Sequence, residues 1–578
     1  MLIVLISSIF LYCLSQSVAS GKINILLRNN YYIINNVLSI MLVIEFFYII
    51  FGSYKISFII SSILIYILSL TMYYVHEFRG TNINFSDILS LNTAKEVAAG
   101  YKYKVKIASI ICLLLLLSVM ICIGRISIDN DFVKNILYNN FGFDYLTQKL
   151  VSIVIFIILF LVLRSFISKG KYDYSLNAGE KEGYVYNFFT SIFVFHKKSD
   201  NDTSVKAKIV NENEDNEDYL NIYFTNNSQD ITNINNNDSN VDRPHIITIM
   251  NESFGSIHDK INANIEITPY YNALKNVSKG NLYVNTFGGG TANTEFEFLT
   301  GMSIGNYEYP VMPYNNFVKR DKYSLARYFK NIGYKTEAIH PYTATNYHRD
   351  KVYKRFGFDE LLFFDEFKNK SYVRNFISDE AFYRECILRF ENAIKHNEKL
   401  FLFGITMQNH SGYMMFDEAK VVSNLDFEEK ESLDAYLSLM RISDDALKIL
   451  FDYFGNVKEH VIILFFGDHN ASFGTEINKY LYGDAANYEY TIAYKTPVFI
   501  YDNKVDYNKS MGDISANFLS IKLLNYADLP LDEFHKFLND IYINYPVYNF
   551  HKRLSIKDGK LYDILDDNYM KLEREYLK

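Results

Sequence analysis

Five long apolar stretches in the first 170 residues constrain this chain more than any other feature of its sequence. Each has about 17–20 mostly apolar residues, enough to cross a hydrocarbon core of about 30 Å as a helix rising about 1.5 Å per residue. The stretches are Leu2–Ala19, Ile33–Phe51, Ile56–Val75, Ile107–Gly124 and Leu150–Ile167. The sequence therefore predicts a multi-pass membrane domain of five spans over residues 1–170.

The first stretch resembles a signal peptide at Ser17-Val18-Ala19, but it lacks a basic segment before it and four more stretches follow. We interpret it as a membrane anchor. Five spans place the two ends of the domain on opposite sides of the membrane. The loop charges do not support an outside catalytic domain, because the loops on that side would then hold more Lys and Arg than the inner loops.

The chain changes character twice after the fifth stretch. Residues 171–243 predict a helix over Glu180–Phe195, either at the membrane surface or as a simple connection, and then the Asn- and Asp-rich linker Ser199–Arg243. Residues 244–548 alternate short apolar runs with helical segments, and residues 549–578 are interpreted as a C-terminal tail. The average composition, with 49% hydrophobic residues, combines these different parts.

The alternating pattern predicts an α/β domain with a mostly parallel central sheet, since strands buried on both faces are continuous apolar runs. The predicted strands are His245–Met250, Leu282–Phe287, Phe401–Met407, Val461–Phe466 and Pro497–Tyr501. The predicted helices are Leu325–Ile332, Glu380–Ile394, Leu433–Phe454 and Ile514–Tyr526. Ligands of such sheets bind beyond the carboxyl ends of the strands.

Three of these strand ends carry polar residues with metal or phosphate chemistry. Glu252 follows the first run and Asp468-His469 follows the fourth, which offers two carboxylates and an imidazole to Mn²⁺, Mg²⁺ or Zn²⁺. Thr291 follows three glycines at a predicted helix start, where backbone N–H groups favour a phosphate. A metal-bound hydroxyl loses its proton more easily. The combination predicts metal-activated attack by Thr291 on a phosphate or sulfate ester.

Each of these segments also has a purely structural interpretation when it is taken alone. Thr291 can cap a helix, Glu252 can be a solvated loop acid, and Asp468-His469 can form a turn. Their joint position at strand ends favours the chemical interpretation.

The same residues resemble those of a known family. Gly288–Gly301 (GGGTANTEFEFLTG), Met250–Phe254 (MNESF) and Phe466–His469 (FGDH) are similar to segments of lipoteichoic acid synthase-like membrane phosphoglycerol transferases, which have a sulfatase or alkaline-phosphatase fold. Five spans followed by an extracellular catalytic domain is also the family plan, so the resemblance covers nearly the whole chain.

The resemblance implies roles for individual residues. Glu252, Thr291, Asp468 and His469 would hold one divalent ion, with manganese favoured and magnesium or zinc left open, and Thr291 would also be the nucleophile. His410, in Gln408–Tyr413 (QNHSGY), would contact the substrate phosphate. Tyr347 and Arg349 would hold the headgroup, and Arg349 independently offers a bidentate fork for a phosphate. Tyr347 stands where the family often has Trp.

The predicted function is a cell-membrane phosphoglycerol transferase that uses a phosphatidylglycerol-type lipid and a glycan or polyglycerolphosphate acceptor through phosphothreonine. The alternatives are a phosphoethanolamine transferase of the same fold, a hydrolytic sulfatase, and a non-catalytic protein that binds glycan or lipid. Cys386, the one cysteine outside the spans, disfavours the phosphoethanolamine class, which has disulfides in its soluble domain. A net charge of −8 disfavours a nucleic-acid partner.

Overall fold

A computed structural model of the chain describes residues 2–23, 30–79, 82–88, 105–125, 145–169, 182–200, 243–256, 261–306, 312–416, 418–427, 430–483, 492–507, 509–550, 554–557, 560–562 and 569. The chain divides into two compact units, the first within Met1–Leu89 and Tyr103–Ala207 and the second chiefly within Lys208–Lys578. We describe each unit by itself.

The first unit is a bundle of apolar helices, as predicted. Four helices are long and apolar enough to cross a membrane, and the fourth predicted stretch forms a shorter apolar helix at Ile107–Ile123. The helices extend over Leu2–Ser20, Asn30–Phe51, Tyr54–Arg79, Ile107–Arg125 and Tyr145–Lys169. Their contacts form one apolar cluster with fully buried members such as Leu11, Ile40 and Leu163.

The first unit also contains the short helix Phe85–Ile88 and the helix Tyr184–Asp200, which occupies most of the segment predicted as a juxtamembrane helix. Its start is held by Asn36, whose Nδ2 donates to the carbonyl of Glu182 at 2.7 Å and whose Oδ1 accepts from the N–H of Tyr186 at 2.9 Å. Val185 joins the apolar cluster of the bundle. This helix therefore belongs to the bundle, and its place at a membrane surface stays a prediction. Nearly all of the predicted linker Ser199–Arg243 lies outside the described residues.

The second unit is built around an eight-stranded sheet with the order β10-β2-β9-β8-β1-β7-β3-β4. Its neighbouring strands pair in parallel except where β9 meets β2 and β8. In chain order the strands are β1 (His245–Asn251), β2 (Val277–Tyr283), β3 (Tyr334–Ile339), β4 (Glu360–Leu362), β5 (Tyr372–Val373), β6 (Phe376–Ile377), β7 (Lys399–Ile405), β8 (Val461–Gly467), β9 (Lys495–Asp502), β10 (Gly512–Ser515), β11 (Val547–Phe550), β12 (Leu554–Lys557) and β13 (Lys560–Tyr562). The prediction of a mostly parallel α/β fold is confirmed.

Several helices of this unit bury apolar residues in the core formed with the sheet, and the helices Asp379–Lys395 and Lys430–Phe454 bury apolar residues as well. The longer ones are Thr291–Thr300, Leu325–Asn331, Arg349–Phe356, Asp379–Lys395, Lys430–Phe454, Thr475–Tyr482, Leu519–Tyr526 and Glu533–Asn544. Every residue of β1 and of β8 is buried, as expected for strands covered on both faces.

Two predicted elements differ from the structure. The predicted helix Ile514–Tyr526 begins as strand β10 and becomes an α-helix only at Leu519, because Ile514 pairs with Leu282 of β2. The predicted strand Leu282–Phe287 is the end of β2 and the loop beyond it. Apolar residues continue in that loop, so the apolar run did not mark where the pairing stops.

The predicted C-terminal tail is partly built into the second unit. Strands β11, β12 and β13 form a small antiparallel sheet. Tyr569 is fully buried, donates a hydrogen bond to the carbonyl of Gly301 at 2.8 Å and lies in the same core as the main sheet. The boundary predicted at residue 548 therefore does not separate tail from core.

Candidate active site

The site begins with two neighbouring strands that end side by side. Strands β1 and β8 run parallel, and Asn251 pairs with Gly467 at their carboxyl ends. The next residues are Glu252 and Asp468, so the register brings the two carboxylates together. The N–H of Glu252 donates to Oγ1 of Thr406, just after β7, at 3.0 Å.

A glycine turn brings the helix Thr291–Thr300 to the same edge. Gly288, Gly289 and Gly290 have φ values of 68°, 148° and 89°, a region in which a side chain would be strained. The N–H of Gly288 donates to the carbonyl of Asn470 at 3.0 Å, which joins this turn to the loop of Asp468. The turn therefore requires glycines and delivers Thr291 as the first residue of its helix.

The predicted metal ligands and nucleophile form one cluster. Oγ1 of Thr291 donates to Oε2 of Glu252 at 3.2 Å. Nε2 of His469 lies 3.2 Å from Oδ2 of Asp468 and 3.7 Å from Oε1 of Glu252. Ligand atoms of Glu252, Asp468 and His469 all lie within 4.8 Å of one another, and all three residues are buried.

This cluster fits a divalent cation. Oδ2 of Asp468 and Nε2 of His469 are buried and have no hydrogen-bond partner among the described residues. Burial raises the pKa of Glu252, and the neighbouring Asp468 raises it further. Burial likewise raises the pKa of Asp468. A cation would offset this cost of burying two carboxylates, and two oxygens with one imidazole suit manganese or zinc.

His410 follows β7 in a loop beside this cluster and is half-buried. Burial lowers its pKa, while the nearby charge of Glu252 raises it. Its backbone is held by Arg374, which donates to the carbonyl oxygens of His410 and Gln408 at 2.7 Å each and of Gly412 at 3.2 Å. The sequence does not reveal this role of Arg374, since an arginine that binds backbone carbonyl oxygens requires no particular spacing from other residues.

Arg349 is placed differently from the predicted phosphate fork. Its guanidinium pairs with Glu295 and is 2% exposed, while Glu295 is 0% exposed. The ring of Tyr347 lies 5.0 Å from Cζ of Arg349. The side of the Arg349 guanidinium that could make a bidentate contact with a phosphate is therefore occupied by the carboxylate of Glu295. Glu295 lies inside the segment Gly288–Gly301, but nothing in the sequence predicts this role for it.

The fold and this site define the class of the second unit. The family model described as Sulfatase matches residues 244–529. Residues 244–529 therefore form a sulfatase-like domain.

The chain is also similar to individual proteins. It is 30% identical over 336 residues, 56% of this chain and 51% of the relative, to a Rhizobium meliloti protein named for cyclic beta-1,2-glucan modification. It is 26% identical over 246 residues, 39% of this chain and 36% of the relative, to lipoteichoic acid synthase of Staphylococcus aureus. The chain thus spans about half or less of the length of these relatives.

A Streptococcus pyogenes phosphoglycerol transferase solved with sn-glycerol-1-phosphate matches with a TM-score of 0.47 and 22% identity. That match covers 58% of this chain and 84% of the other.

Proposed function

We propose that the chain is a membrane-bound, metal-dependent transferase that moves phosphoglycerol from a phosphatidylglycerol-type lipid to a glycan or polyglycerolphosphate of the cell envelope. The observation that carries the proposal is the Thr291 hydroxyl, held at the start of a helix and 3.2 Å from a carboxylate of a buried metal-type cluster. A hydroxyl beside a bound divalent ion loses its proton more easily, which suits a nucleophile.

The similarities to proteins named for glucan modification and for lipoteichoic acid synthesis support a glycan or polyglycerolphosphate acceptor. The apolar helices of the first unit support a lipid donor, because they would keep the catalytic unit beside the membrane. We further propose that the catalytic unit lies outside the cell, where envelope polymers are built.

The reaction consists of two displacements at phosphorus. Oγ1 of Thr291 forms a bond to phosphorus while the bond from phosphorus to the diacylglycerol oxygen breaks, and a proton passes from threonine to diacylglycerol. An acceptor hydroxyl then forms the new bond to phosphorus while the bond from phosphorus to Oγ1 of Thr291 breaks, and the acceptor proton restores the threonine hydroxyl.

Some residues would hold the divalent ion, and others would contact the phosphate or the headgroup of the substrate. Glu252, Asp468, His469 and Thr291 would hold the divalent ion, which when bound lowers the pKa of the hydroxyl and stabilises phosphoryl charge. His410 donates to a phosphoryl oxygen, and Arg374 keeps its loop in place. Tyr347 faces the headgroup.

The test is covalent labelling of the full chain by phosphatidylglycerol that carries label in its headgroup, with Mn²⁺ present. We expect Thr291→Ala to abolish the label. Thr300→Ala is the matched control, because Thr300 lies in the same helix and its hydroxyl bonds only backbone groups, the carbonyl of Phe296 and the N–H of Met302. Label retained by Thr291→Ala would refute the nucleophile.

The same assay separates the other candidate functions. Label from phosphatidylethanolamine, with none from phosphatidylglycerol, would make the chain a phosphoethanolamine transferase. Absence of label from both lipids, together with no binding of manganese, would favour a non-catalytic protein that binds glycan or lipid.

A further inference from the structure

Glu295, on the helix that carries Thr291, forms a buried ion pair with Arg349. Nε of Arg349 lies 3.2 Å from each carboxylate oxygen of Glu295, and Nη2 also donates to Oε1. This two-point contact is the geometry that a guanidinium otherwise offers to a phosphate. Glu295 therefore occupies the side of Arg349 that would make a bidentate contact with substrate.

The other side of the guanidinium is also bound by the protein. Nη1 of Arg349 donates to Nε2 of His340 at 3.2 Å and to Oδ1 of Asn346 at 3.4 Å. Nδ1 of His340 lies 3.2 Å from the carbonyl of Ile405, so Nδ1 carries the proton and Nε2 is the acceptor. Burial and the charge of Arg349 lower the pKa of His340, which keeps the ring neutral. Arg349 is thus fixed to β3 and β7 behind the site.

Glu295 connects the fixed Arg349 to the helix that carries Thr291. It comes four residues after Thr291 in the same helix, so the two side chains lie on one face, one turn apart. Oε2 of Glu295 also accepts hydrogen bonds from Tyr314 at 2.9 Å and from Tyr353 at 2.6 Å. These contacts leave the helix little freedom to rotate about its axis.

We propose that Arg349 is a positioning residue rather than a phosphate ligand. Its ion pair with Glu295 fixes the rotation of the helix Thr291–Thr300 and thereby places the Thr291 hydroxyl beside Glu252. The proposal rests on the proposed function in one respect, namely that Thr291 is a ligand of the divalent ion. A residue that acts in this way affects metal affinity before any lipid is present.

The test is a titration of the lipid-free full chain with Mn²⁺. The electron paramagnetic resonance signal of the free ion measures how much manganese is bound at each step. Arg349→Lys and Glu295→Asp keep both charges but change the two-point contact. We expect each to weaken manganese binding about 10-fold, as loss of an outer partner does at other metal sites. Thr291→Ala should weaken binding by a similar factor.

Arg389→Lys is the matched control, since Arg389 also pairs with buried Glu337 but its carboxylate partners lie on β3 and β4. It should leave manganese affinity unchanged. Unchanged affinity in folded Arg349→Lys and Glu295→Asp would overturn the proposal, and so would an equal loss in Arg389→Lys. Thermal melting of each variant checks folding, and Glu295→Asp serves if Arg349→Lys does not fold.

Lipid labelling then distinguishes positioning from direct contact. Positioning predicts that Arg349→Lys slows the labelling of Thr291 while the lipid concentration at half-saturation stays the same. A raised half-saturation with an unchanged rate would mean that Arg349 touches the phosphate. Failure of the parent chain to be labelled would refute the proposed function but not the positioning role of Arg349, because the manganese titration uses no lipid.

Discussion

Two buried charged clusters flank the first turns of the helix Thr291–Thr300, and they differ in how their charges are satisfied. In the first, Oδ2 of Asp468 and Nε2 of His469 face each other without hydrogen-bond partners among the described residues. In the second, both oxygens of Glu295 accept from Arg349 or from tyrosine hydroxyls. The first cluster is suited to bind a ligand, and the second is suited to hold a helix still.

Glu297 is an intermediate case on the same helix. Its Oε1 accepts from Asn285 at 2.6 Å, from Ser303 at 3.2 Å and from the N–H of Ile304 at 2.8 Å, all of them neutral donors. Glu295 thus has a cationic partner, and Asp468 has an open ligand position. Glu297 has neutral donors on Oε1 and, among the described residues, no hydrogen-bond partner on Oε2. Burial alone therefore does not mark a functional carboxylate, whereas the identity of its partners does.

The paired cluster predicts the largest effect on stability. Glu295→Gln would leave the Arg349 charge buried without a counter-ion, and we expect the free energy of unfolding to fall by about 3–5 kcal/mol. The measurement is denaturant unfolding of the full chain in detergent, followed at the transition of the catalytic unit.

Glu337→Gln is the control for that variant. Arg389 keeps its second carboxylate partner, Glu360, so the loss should be clearly smaller. Equal losses in the two variants would mean that the Glu295–Arg349 pair is not a special support of the nucleophile helix.

Glu297 predicts a dependence of stability on pH. Burial raises its pKa from 4.5 to about 7, although its hydrogen bonds act to lower it. The folded state then holds this proton more tightly than the unfolded state. The stabilisation is complete below pH 4.5 and is lost as pH rises through about 7, which amounts to about 3 kcal/mol.

Glu297→Gln should remove that part of the pH dependence. We therefore expect the variant to gain stability relative to the parent chain as pH rises from about 4.5 to 7, measured as the difference in Tm across this range. A difference in Tm that stays constant with pH would show that Glu297 has an ordinary pKa.

The sequence was sufficient to predict the fold class because the apolar runs are long in one unit and short in the other. It also located Glu252 and Asp468, since each follows directly after a continuous apolar strand. Strands β3 and β10 were not predicted, because an edge or mixed-polarity strand lacks such a run. Spacing likewise could not show that Arg349 pairs with Glu295 across 54 residues of sequence.

The assignment of Arg374 required the structure for a different reason. Its three contacts are with the backbone carbonyl oxygens of Gln408, His410 and Gly412. Every residue has such an oxygen, so the identities of these three residues do not predict the contacts. Residues that contact other side chains leave a chemical pattern in the sequence, and residues that support backbone leave none.

The open cluster predicts a smaller effect of the opposite sign. In metal-free protein, Asp468→Asn should raise the free energy of unfolding by about 1–3 kcal/mol, because the amide removes a buried charge and can donate to His469. Oδ1 would still accept from the N–H of Ser253 at 2.7 Å. Manganese binding and labelling of Thr291 should nevertheless be lost. The measurement is denaturant unfolding in the presence of EDTA.

Asp444→Asn is the matched control for the predicted increase in the free energy of unfolding of Asp468→Asn. Both oxygens of buried Asp444 accept backbone N–H groups, from Tyr270 and Tyr271, at 2.7 Å each. An amide can replace one of these acceptors but not both, so this variant should lose stability. If Asp468→Asn also lost stability without metal, the Asp468 carboxylate would be structurally paired, and the contrast between an open and a closed cluster would fail.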